Sequence, residues 1–525
     1  MTIKVPRLLT DGLLNSFHRS PSKNAAIIEG TPYTYSELHD GSRDLSYNLL
    51  SKGLKKGDRV AIYMDNTWHC IVSIYGILRA GGAFLLINPQ TKYEKLDFIL
   101  RDSGASILLS DSHLSIALNK LVKAPPSTLE FLIYSGDRQL ENTSPEQLDV
   151  QRFSEIDSVD SSAPDSANII ASDLAALIYT SGSTGEPKGV MHTHLSMVFA
   201  LTSIIEYLRL DESDRILNVL PLSFDYGLYQ LLMSVWLGAT LVLERSFTYP
   251  ARILQRLVEN EVTVFPGVPT IFSMLIAQYK NKPFSLDSIG KITNTAAALS
   301  SSMITPLKAI FPNALIFKMY GLTECKRTCY LEPELIDTHG DSVGKAIPGT
   351  EVFLMSPEGQ RLGPGDTGIL HVRGPHLMLG YWNRPEQSAE MLIPGALPNE
   401  RYLCTHDWFR MDRNGFLYFV GRNDDIIKSR GEKVSPIEVE NALLSLDGIS
   451  EAAVIGVPDE LLGQAIKAFI TLAPNSDLND KIIRKFCMSR LENFMVPKYI
   501  EFIQTMPKSA NGKIDKKALP STVSE

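Results

Sequence analysis

The sequence predicts an α/β protein of two domains, a large N-terminal domain followed by a small α+β domain. The chain has 525 residues, too many for one ordinary hydrophobic core. Helical and strand patterns alternate from about residue 34 to 350, which is typical of sheets covered by helices on both faces. The pattern then changes to short strands separated by Gly/Pro turns, and again in the last hundred residues.

The N-terminal alternation begins with a helix signal. Thr34 and Glu37 have the spacing of a capping box, and leucines follow at near-helical spacing. Apolar runs bounded by turn residues then favour strands, with a helical pattern at TKYEKLDFIL. The predicted strands are RVAIY (59–63), GAFLLINP (82–89), SILLS (106–110), LAALIY (174–179) and ALIFKM (314–319).

Two smaller units complete the fold. The strands EVFLMS, GILHVRG and FLYFVGR, between residues 351 and 422, predict a small β-rich unit attached to the large domain. Beyond it, Ser435, Pro436 and Glu438 predict a helix start, and the strands AAVIGV, KAFITLA and YIEFI surround a helix at about 480–491. We place the domain boundary in GRNDDIIK, so that residues 1–423 form the large domain and residues 424–525 a small mobile lid.

Composition excludes several classes of protein. The net charge of −8 leaves no basic face for a nucleic acid partner. Five scattered cysteines show no metal-binding spacing and are expected in a reducing cytoplasm. The N-terminal residues lack the apolar centre of a signal peptide, and no run of about 18 apolar residues predicts a membrane span. We expect a cytoplasmic protein with no membrane partner.

A loop without bulky side chains follows the strand LAALIY. It reads TSGSTGEPKG (180–189), and its backbone N–H groups, hydroxyls and lysine can bind phosphate oxygens. Its spacing is not that of the common nucleotide loop, because Lys188 precedes Gly189 and not Ser or Thr. An ordinary flexible surface loop is the alternative.

Three further segments carry polar chemistry. YGLTE (320–324) offers a ring that can stack on a base and a carboxylate that can hold Mg²⁺. THDWFRMDRNGFLYFVGRNDDIIKSRGEKV (405–434) is rich in Asp, Arg and Gly at the predicted boundary. PKSANGKIDKKAL (507–519) presents Lys513 after an Asn-Gly turn. Singly, these segments are also compatible with a surface turn, a charged linker and a solvated lysine.

Together and in this order, the four segments resemble the adenylate-forming ANL superfamily of acyl-CoA synthetases, nonribosomal peptide adenylation domains and luciferases. The resemblance covers nearly the whole chain. It implies that a carboxylate attacks the α-phosphorus of ATP, releasing pyrophosphate, and that a thiol then takes the acyl group. Because both steps use one site, the resemblance also implies a small domain that rotates between them.

The resemblance assigns a role to each motif residue. Lys513 neutralises charge in the adenylation step, Thr323 contacts the α-phosphate and Glu324 holds Mg²⁺. Asp407 accepts the ribose hydroxyls, although His406 stands where the family usually has glycine. The remaining implied positions are Thr180, Ser181, Gly182, Ser183, Thr184, Gly185 and Lys188 for the phosphates; Tyr320, Gly321, Thr295, Ala296 and Ala297 for adenine; Arg422 for ribose or hinge; Asp424 for the hinge; and Gly431 and Lys433 for the thiol tunnel.

The segment SFDYGLYQ (223–230) indicates which type of carboxylic acid is activated. Amino-acid-activating members of the family carry Phe-Asp here, and the aspartate holds the substrate ammonium; a buried carboxylate needs such a partner. The alternative is that Asp225 caps the following helix. Arg327 has no role in this scheme and could favour an anionic acid. The implied pocket positions are Phe224, Asp225, Tyr226, Tyr229, Pro266, Thr293, Met319, Arg327 and Thr328.

SFDYGLYQ and YGLTECKR are similar to stand-alone enzymes that load L-proline onto a peptidyl carrier protein, and also to a group of acyl-CoA ligases. We therefore expect L-proline as substrate and the phosphopantetheine thiol of a separate carrier protein as acceptor. The first alternative is a CoA ligase for a fatty, aryl or other small acid. A catalytically inactive relative is the second, although such relatives tend to lose the residues present here as Glu324 and Lys513.

Overall fold

The structure is a computed structural model that describes residues 6–140, 148–159, 168–181, 187–295, 299, 301–422, 425, 427–429, 432–459, 462–491, 493, 495–509 and 512–520.

The strands formed by the described residues belong to four sheets. In chain order they are β1 (Asn24–Ile28), β2 (Thr31–Thr34), β3 (Arg59–Tyr63), β4 (Ala83–Ile87), β5 (Ile107–Asp111), β6 (Phe131–Ser135), β7 (Asp149–Arg152), β8 (Leu174–Ser181), β9 (Pro187–Thr193), β10 (Arg215–Asn218), β11 (Thr240–Leu243), β12 (Val264–Gly267), β13 (Lys291–Asn294), β14 (Leu315–Tyr320), β15 (Cys329–Leu331), β16 (Lys345–Ala346), β17 (Glu351–Met355), β18 (Thr367–Arg373), β19 (Leu392–Pro394), β20 (Arg401–Met411), β21 (Leu417–Arg422), β22 (Ile427–Ser429), β23 (Glu432–Val434), β24 (Ile449–Asp459), β25 (Gly463–Leu472) and β26 (Tyr499–Phe502).

Helices alternate with these strands as far as β14 and are sparse afterwards. They are α1 (Leu9–Arg19), α2 (Tyr35–Ser51), α3 (Trp68–Arg79), α4 (Tyr93–Ser103), α5 (Ser115–Lys123), α6 (His194–Leu208), α7 (Asp225–Leu237), α8 (Pro250–Glu259), α9 (Pro269–Asn281), α10 (Ser301–Ile310), α11 (Pro385–Met391), α12 (Pro436–Leu444) and α13 (Asp480–Arg490). Among the residues that the structure describes, no helix is long and apolar enough to cross a membrane.

Two large sheets form the N-terminal part. The seven-stranded sheet has the order β7-β6-β5-β3-β4-β8-β9, and the nine-stranded sheet has the order β16-β15-β14-β13-β12-β10-β11-β1-β2. Pairing is parallel from β7 to β8 and from β14 to β1, and it is antiparallel at β9 in the first sheet and at β2, β15 and β16 in the second. Strand–helix–strand connections of this kind are the only short way to join parallel neighbours.

One hydrophobic core joins the two sheets. Val60 and Ile62 of the first sheet and Ile216 and Leu241 of the second belong to a single buried cluster with the helices between them. A second cluster covers the other face of the seven-stranded sheet and includes Leu108. Because parallel strands are covered on both faces, their sequences are continuous apolar runs, as in RVAIY and SILLS.

The last two sheets are smaller. The antiparallel sheet β17-β18-β20-β19, with β21 beside β20, matches the predicted β-rich unit. The sheet β23-β22-β25-β24, with β26 parallel to β25, belongs to the predicted small α+β domain. The predicted boundary between residues 423 and 424 falls on positions outside the described residues, and it stays a prediction.

Local signals placed most elements correctly. Thr34 is the N-cap of α2, its hydroxyl accepts from Glu37 N, and the Glu37 carboxylate accepts from Thr34 N at 2.6 Å. Ser435 caps α12 by accepting from Glu438 N. The helix-cap alternative for Asp225 was wrong, because the N-cap of α7 is Phe224 and Asp225 is already the first helical residue.

Candidate active site

Several of the predicted site residues lie at or after the carboxyl ends of parallel strands of the nine-stranded sheet. β12 ends at Gly267, β13 at Asn294 and β14 at Tyr320, and these three strands are neighbours in register. In open α/β sheets this edge is where ligands bind, because the loops that leave it converge there. The YGLTE segment leaves this edge from β14, and the SFDYG segment leads from β10 into α7.

At one end of the site, a carboxylate lies between an aromatic hydroxyl and a guanidinium. Tyr320 Oη donates to Asp407 Oδ2 at 2.5 Å, and Arg422 Nε lies 3.4 Å from Asp407 Oδ1. Asp407 and Arg422 are register partners on β20 and β21. Burial raises the pKa of Asp407, and the Arg422 charge opposes this effect. The structure thus brings together three of the residues predicted to bind the nucleoside.

His406 stands where the family usually has glycine, and its backbone conformation shows how the chain accommodates this difference. Its φ is +55°, in the left-handed region that favours glycine. Among residues with a side chain, histidine is one of those enriched in that region. β20 therefore keeps the turn that glycine usually provides, and Asp407 remains buried beside Tyr320.

Next to this carboxylate is the predicted metal ligand, Glu324. Tyr381 Oη donates to Glu324 Oε1 at 2.7 Å, and Lys188 Nζ lies 5.3 Å from the centroid of the Tyr381 ring. The Thr323 carbonyl accepts from His192 Nε2 at 2.9 Å, which fixes the backbone of YGLTE. Tyr381 was missed by the sequence analysis, because no spacing pattern links it to a motif 57 residues earlier.

The donor set at Glu324 fits Mg²⁺. Magnesium prefers carboxylate oxygen, commonly takes one or two carboxylates from the protein, and fills the rest of its shell with water and substrate phosphate. Glu324 is only partly buried, and Tyr381 holds one of its oxygens in a fixed position. A fixed, accessible carboxylate near the lysine predicted to bind phosphate is suited to an ion that bridges to phosphates.

The predicted phosphate loop is described only at its two ends. Thr180 and Lys188 are paired across the antiparallel strands β8 and β9. Gly182, Ser183, Thr184 and Gly185 lie outside the described residues, as do Ala296, Ala297, Asp424 and Gly431. For Ser181 and Lys433 the structure gives the strand but not the side chain. The roles predicted for these residues remain predictions.

At the opposite end, Asp225 is a largely buried carboxylate with two polar neighbours. Its Oδ2 lies 3.4 Å from Thr323 Oγ1, which donates to it, and 3.5 Å from Lys326 Nζ. Burial acts to raise the pKa of Asp225, but nearby cations, first Lys326 and then Arg327, outweigh it and leave the pKa below the usual value. Asp225 is therefore ionised and next to the residue predicted to contact the α-phosphate.

Lys326 was not predicted as a site residue. It is buried, and its Nζ lies 4.1 Å from the centroid of the Tyr229 ring, a cation–π distance. In the described part of the chain its Nζ has no hydrogen-bond partner. Burial lowers the pKa of Lys326 below its usual value, and the attraction of Asp225 opposes this effect. The backbone of Lys326 has a φ of +63°, in the left-handed region that favours glycine.

The other predicted pocket residues are mostly bonded to one another. Tyr226 Oη donates to the Thr293 carbonyl at 2.7 Å. Arg327 Nη1 donates to Thr295 Oγ1 at 3.1 Å, and its guanidinium lies 5.1 Å from the centroid of the Tyr226 ring. Arg327 is therefore a buried wall of the pocket behind Tyr226. Pro266 pairs with Thr293 in the sheet, Met319 accepts from Tyr207 Oη, and Thr328 contacts Cys325.

The last predicted residue, Lys513, reaches the site from the small domain. Gly512 beside it lies close to Thr270 of α9, so that a β-carbon on Gly512 would approach Thr270 Oγ1 to 3.0 Å. Burial and the Arg422 charge lower the pKa of Lys513, whereas Asp225 and Asp407 raise it. Although Lys513 keeps part of its surface exposed, its ammonium is surrounded by protein and lies within electrostatic range of carboxylates from both ends of the site.

Comparison with known proteins identifies the class. Residues 14–382 match the AMP-binding enzyme family and residues 438–513 match the AMP-binding enzyme C-terminal domain. The first match covers more than half of the chain, and the chain belongs to the AMP-binding enzyme family. This confirms the superfamily that the four motifs indicated.

Relatives and solved structures agree with this class. A long-chain-fatty-acid–CoA ligase of Bacillus subtilis (strain 168) is 30% identical over 532 residues, 97% of this chain and 93% of the relative. Gramicidin S synthase 2 of Brevibacillus brevis is 30% identical over 505 residues, 96% of this chain but 11% of that protein. The anthranilate CoA ligase AuaEII in complex with anthranoyl-AMP superposes with a TM-score of 0.86 at 25% identity, over 97% of this chain and 96% of that chain.

The chain is therefore an ATP-dependent, AMP-forming ligase that activates a carboxylic acid and joins it to a thiol. ATP and Mg²⁺ serve the first step. The family match does not distinguish among acids, because both a fatty-acid ligase and a gramicidin synthase are similar to nearly the whole length of this chain.

Proposed function

We propose that the acid is L-proline and that the prolyl group passes to the phosphopantetheine thiol of a separate carrier protein. The observation that carries the proposal is Asp225, a largely buried and ionised carboxylate in contact with Thr323. A substrate ammonium is the natural partner for such a group, because a buried carboxylate without a cation is strongly unfavourable. The secondary ammonium of proline has two N–H donors, and Asp225 has two acceptor oxygens.

In the first step, the proline carboxylate attacks the α-phosphorus of ATP, an oxygen–phosphorus bond forms and pyrophosphate leaves. Charge develops on the phosphate oxygens, so fixed cations and donors provide most of the catalysis. We assign the α-phosphate contact to Thr323 and the neutralising charge to Lys513. Asp407 receives the ribose hydroxyls. Mg²⁺ held by Glu324 would neutralise phosphate charge.

Two observations support an amino acid with a small side chain. Tyr226 and Tyr229 are fully buried on α7, the helix that begins at Asp225, and their bulky rings limit the room beside that carboxylate. Relatives of this chain include a gramicidin synthase as well as CoA ligases. SFDYGLYQ and YGLTECKR resemble enzymes that load proline, and this resemblance is the reason to propose proline and a separate carrier protein. The five free cysteines fit a reducing compartment such as the cytoplasm.

A second candidate is a CoA ligase for an organic acid without an amino group. Lys326 and Arg327 are two buried cations around one buried carboxylate, so the pocket carries a surplus positive charge. An acid with a second anionic group would balance that charge. The similarity to CoA ligases supports the same candidate. An inactive relative is disfavoured, because Glu324, Asp407 and Lys513 are all retained.

Pyrophosphate exchange with a panel of acids tests the two candidates. Purified protein with Mg-ATP is offered proline, other amino acids, a fatty acid, benzoate and a dicarboxylate in separate reactions. We expect proline to give the fastest exchange. A second reaction with ATP, proline and a phosphopantetheinylated carrier protein should give a prolyl thioester by mass spectrometry. Faster turnover of an acid without an amino group, with CoA as acceptor, would refute the proline proposal.

A further inference from the structure

Lys326 is a buried cation for which the adenylation chemistry gives no role. It lies two residues after Glu324, and its Nζ is 3.5 Å from Asp225 Oδ2. Arg327, its neighbour, is already bonded to Thr295 and packed on Tyr226. Lys326 is different, because its ammonium has Coulomb attraction to Asp225 but no hydrogen-bond partner among the described residues.

An amino-acid pocket has an electrostatic problem before its substrate arrives. If Asp225 exists to bind an ammonium, it must stay buried and ionised in the absence of that ammonium. A buried carboxylate with no counter-ion either takes up a proton or destabilises the fold. In this chain a cation is already present, since Lys326 Nζ occupies one side of the carboxylate. Lys326 thus supplies the charge that a substrate ammonium would supply later.

The pairing is loose enough to be exchanged. At 3.5 Å and without a hydrogen bond, the Lys326–Asp225 pair is longer than the 2.7–2.9 Å of a strong charge-assisted bond. A substrate ammonium at hydrogen-bond distance would compete well with it. Lys326 also has another favourable contact, because its Nζ lies over the Tyr229 ring, where a cation is stabilised without Asp225.

We propose that Lys326 is a built-in counter-ion of Asp225 that the substrate ammonium displaces, which makes Lys326 a specificity-determining residue. This inference rests on the proposed amino-acid function. A neutral acid leaves the Lys326–Asp225 pair in place and gains nothing from Asp225. An amino acid replaces the long contact with short hydrogen bonds and moves Lys326 toward Tyr229. Selection for an ammonium therefore depends on Lys326 as well as on Asp225.

The test compares two substitutions that change the competition in opposite directions. Lys326→Met removes the competing charge at similar length, and we expect the KM for proline in pyrophosphate exchange to fall about tenfold with the KM for ATP unchanged. Lys326→Arg places a planar guanidinium beside Asp225, which pairs with carboxylates through two parallel bonds, and we expect the KM for proline to rise about tenfold.

Thermal unfolding gives a second measurement. Without substrate, Lys326→Met leaves Asp225 unpaired and should lower Tm, and saturating proline should raise the Tm of this variant more than that of wild type. Asp225→Asn combined with Lys326→Met removes both charges, so we expect Tm to recover and the proline response to vanish. Lys318→Met is the matched control, because Lys318 is a buried lysine on β14 that bonds to the Gly340 carbonyl. It should leave the KM for proline unchanged.

The outcomes separate this inference from the proposed function. If wild type turns over proline but both Lys326 variants keep its KM within about twofold, or both raise it, Lys326 is not a competing counter-ion and the inference fails alone. If wild type ignores proline and turns over a dicarboxylate, and Lys326→Met abolishes that activity, both proposals fail. If Lys326→Met does not fold, the rise in KM expected for Lys326→Arg decides the matter.

Discussion

The end of the site predicted to bind the nucleotide (Asp407 and Glu324, the nucleotide end) and the end proposed to bind the acid (Asp225, the acid end) contain similar charges but balance them differently. At the nucleotide end, Asp407 has Arg422 and the Tyr320 hydroxyl, and Glu324 has the Tyr381 hydroxyl. At the acid end, one carboxylate, Asp225, attracts three cations: Lys326, Arg327 and Lys513. The carboxylates of the nucleotide end accept short hydrogen bonds of 2.5 and 2.7 Å from tyrosines, whereas Asp225 has a 3.4 Å bond from Thr323 and is otherwise held by charge.

This difference follows from what each end must recognise. Every member of the family binds the same nucleotide, so its ribose and phosphates can be met by groups fixed in advance. The acid varies between members, and its recognition depends on which charges remain unsatisfied in the pocket. Electrostatic preorganisation therefore explains how the nucleotide end would bind its ligand. Competition among buried charges explains how the acid end would select an acid.

Replacement of Asp225 should produce the largest change. Asp225→Ala leaves both Lys326 and the substrate ammonium without their carboxylate, and loss of one partner of a buried ion pair costs about 3–5 kcal/mol. We expect proline-dependent exchange to fall by at least about a hundredfold while ATP still raises Tm. Asp225→Asn, which keeps the size of the side chain, should show the same loss. Normal exchange in either variant would remove the distinction between the two ends.

Replacement of Lys513 tests whether one cation serves both ends. Lys513→Ala removes a charge that matters mainly in the transition state, so kcat for exchange should fall about a hundredfold, or about 3 kcal/mol, with ATP binding nearly intact. Lys508→Ala is the control, because Lys508 in the same segment forms an ion pair with Glu451 within the small domain. Equal exchange rates for the Lys513 variant and wild type would contradict the assignment.

A smaller effect is expected from Tyr381, which fixes Glu324 at the nucleotide end. Tyr381→Phe removes one hydrogen bond to a carboxylate, worth about 1–2 kcal/mol. We expect about a tenfold increase in the Mg²⁺ concentration required for half-maximal exchange and no change in the KM for the acid. Tyr402→Phe, which removes a similar bond to Glu400 in the same sheet, should change neither quantity. If Tyr381→Phe changed the KM for the acid and left the Mg²⁺ requirement unchanged, Tyr381 would belong to the acid end.

The two ends also differ in how far the sequence predicts them. Strands such as β3 and β5 and the caps at Thr34 and Ser435 depend on neighbouring residues, so local patterns located them. The nucleotide end could be predicted because its residues lie in contiguous motifs. Lys326 and Tyr381 could not, because their roles arise from contacts across the fold: Lys326 meets a residue of α7, and Tyr381 meets one of the loop after β14.

The role of His376, a buried histidine outside every motif, could not be predicted from the sequence either. Its ring stacks on Phe199 with centroids 5.4 Å apart, and neither ring nitrogen has a hydrogen-bond partner in the described part of the chain. Burial lowers the pKa of His376 from 6.5 to about 4. His192, which donates to the Thr323 carbonyl, also has a pKa of about 4 because of burial. Both rings are therefore neutral in the folded protein at pH 7.

His376→Phe should have the smallest effect on activity and a measurable effect on acid stability. As pH falls from about 6.5 to about 4, the unfolded chain binds a proton that the folded His376 does not, so the free energy of unfolding decreases through this window, by up to about 3 kcal/mol. Phenylalanine has no group that binds a proton in this pH range, and its ring can still stack on Phe199. We expect Tm at pH 7.5 and the KM values to be nearly unchanged, and Tm at pH 5 to exceed that of wild type. His18→Asn, on an exposed side chain, is the control; a parallel loss of Tm at pH 5 in wild type and His376→Phe would show that this ring does not couple folding to protons.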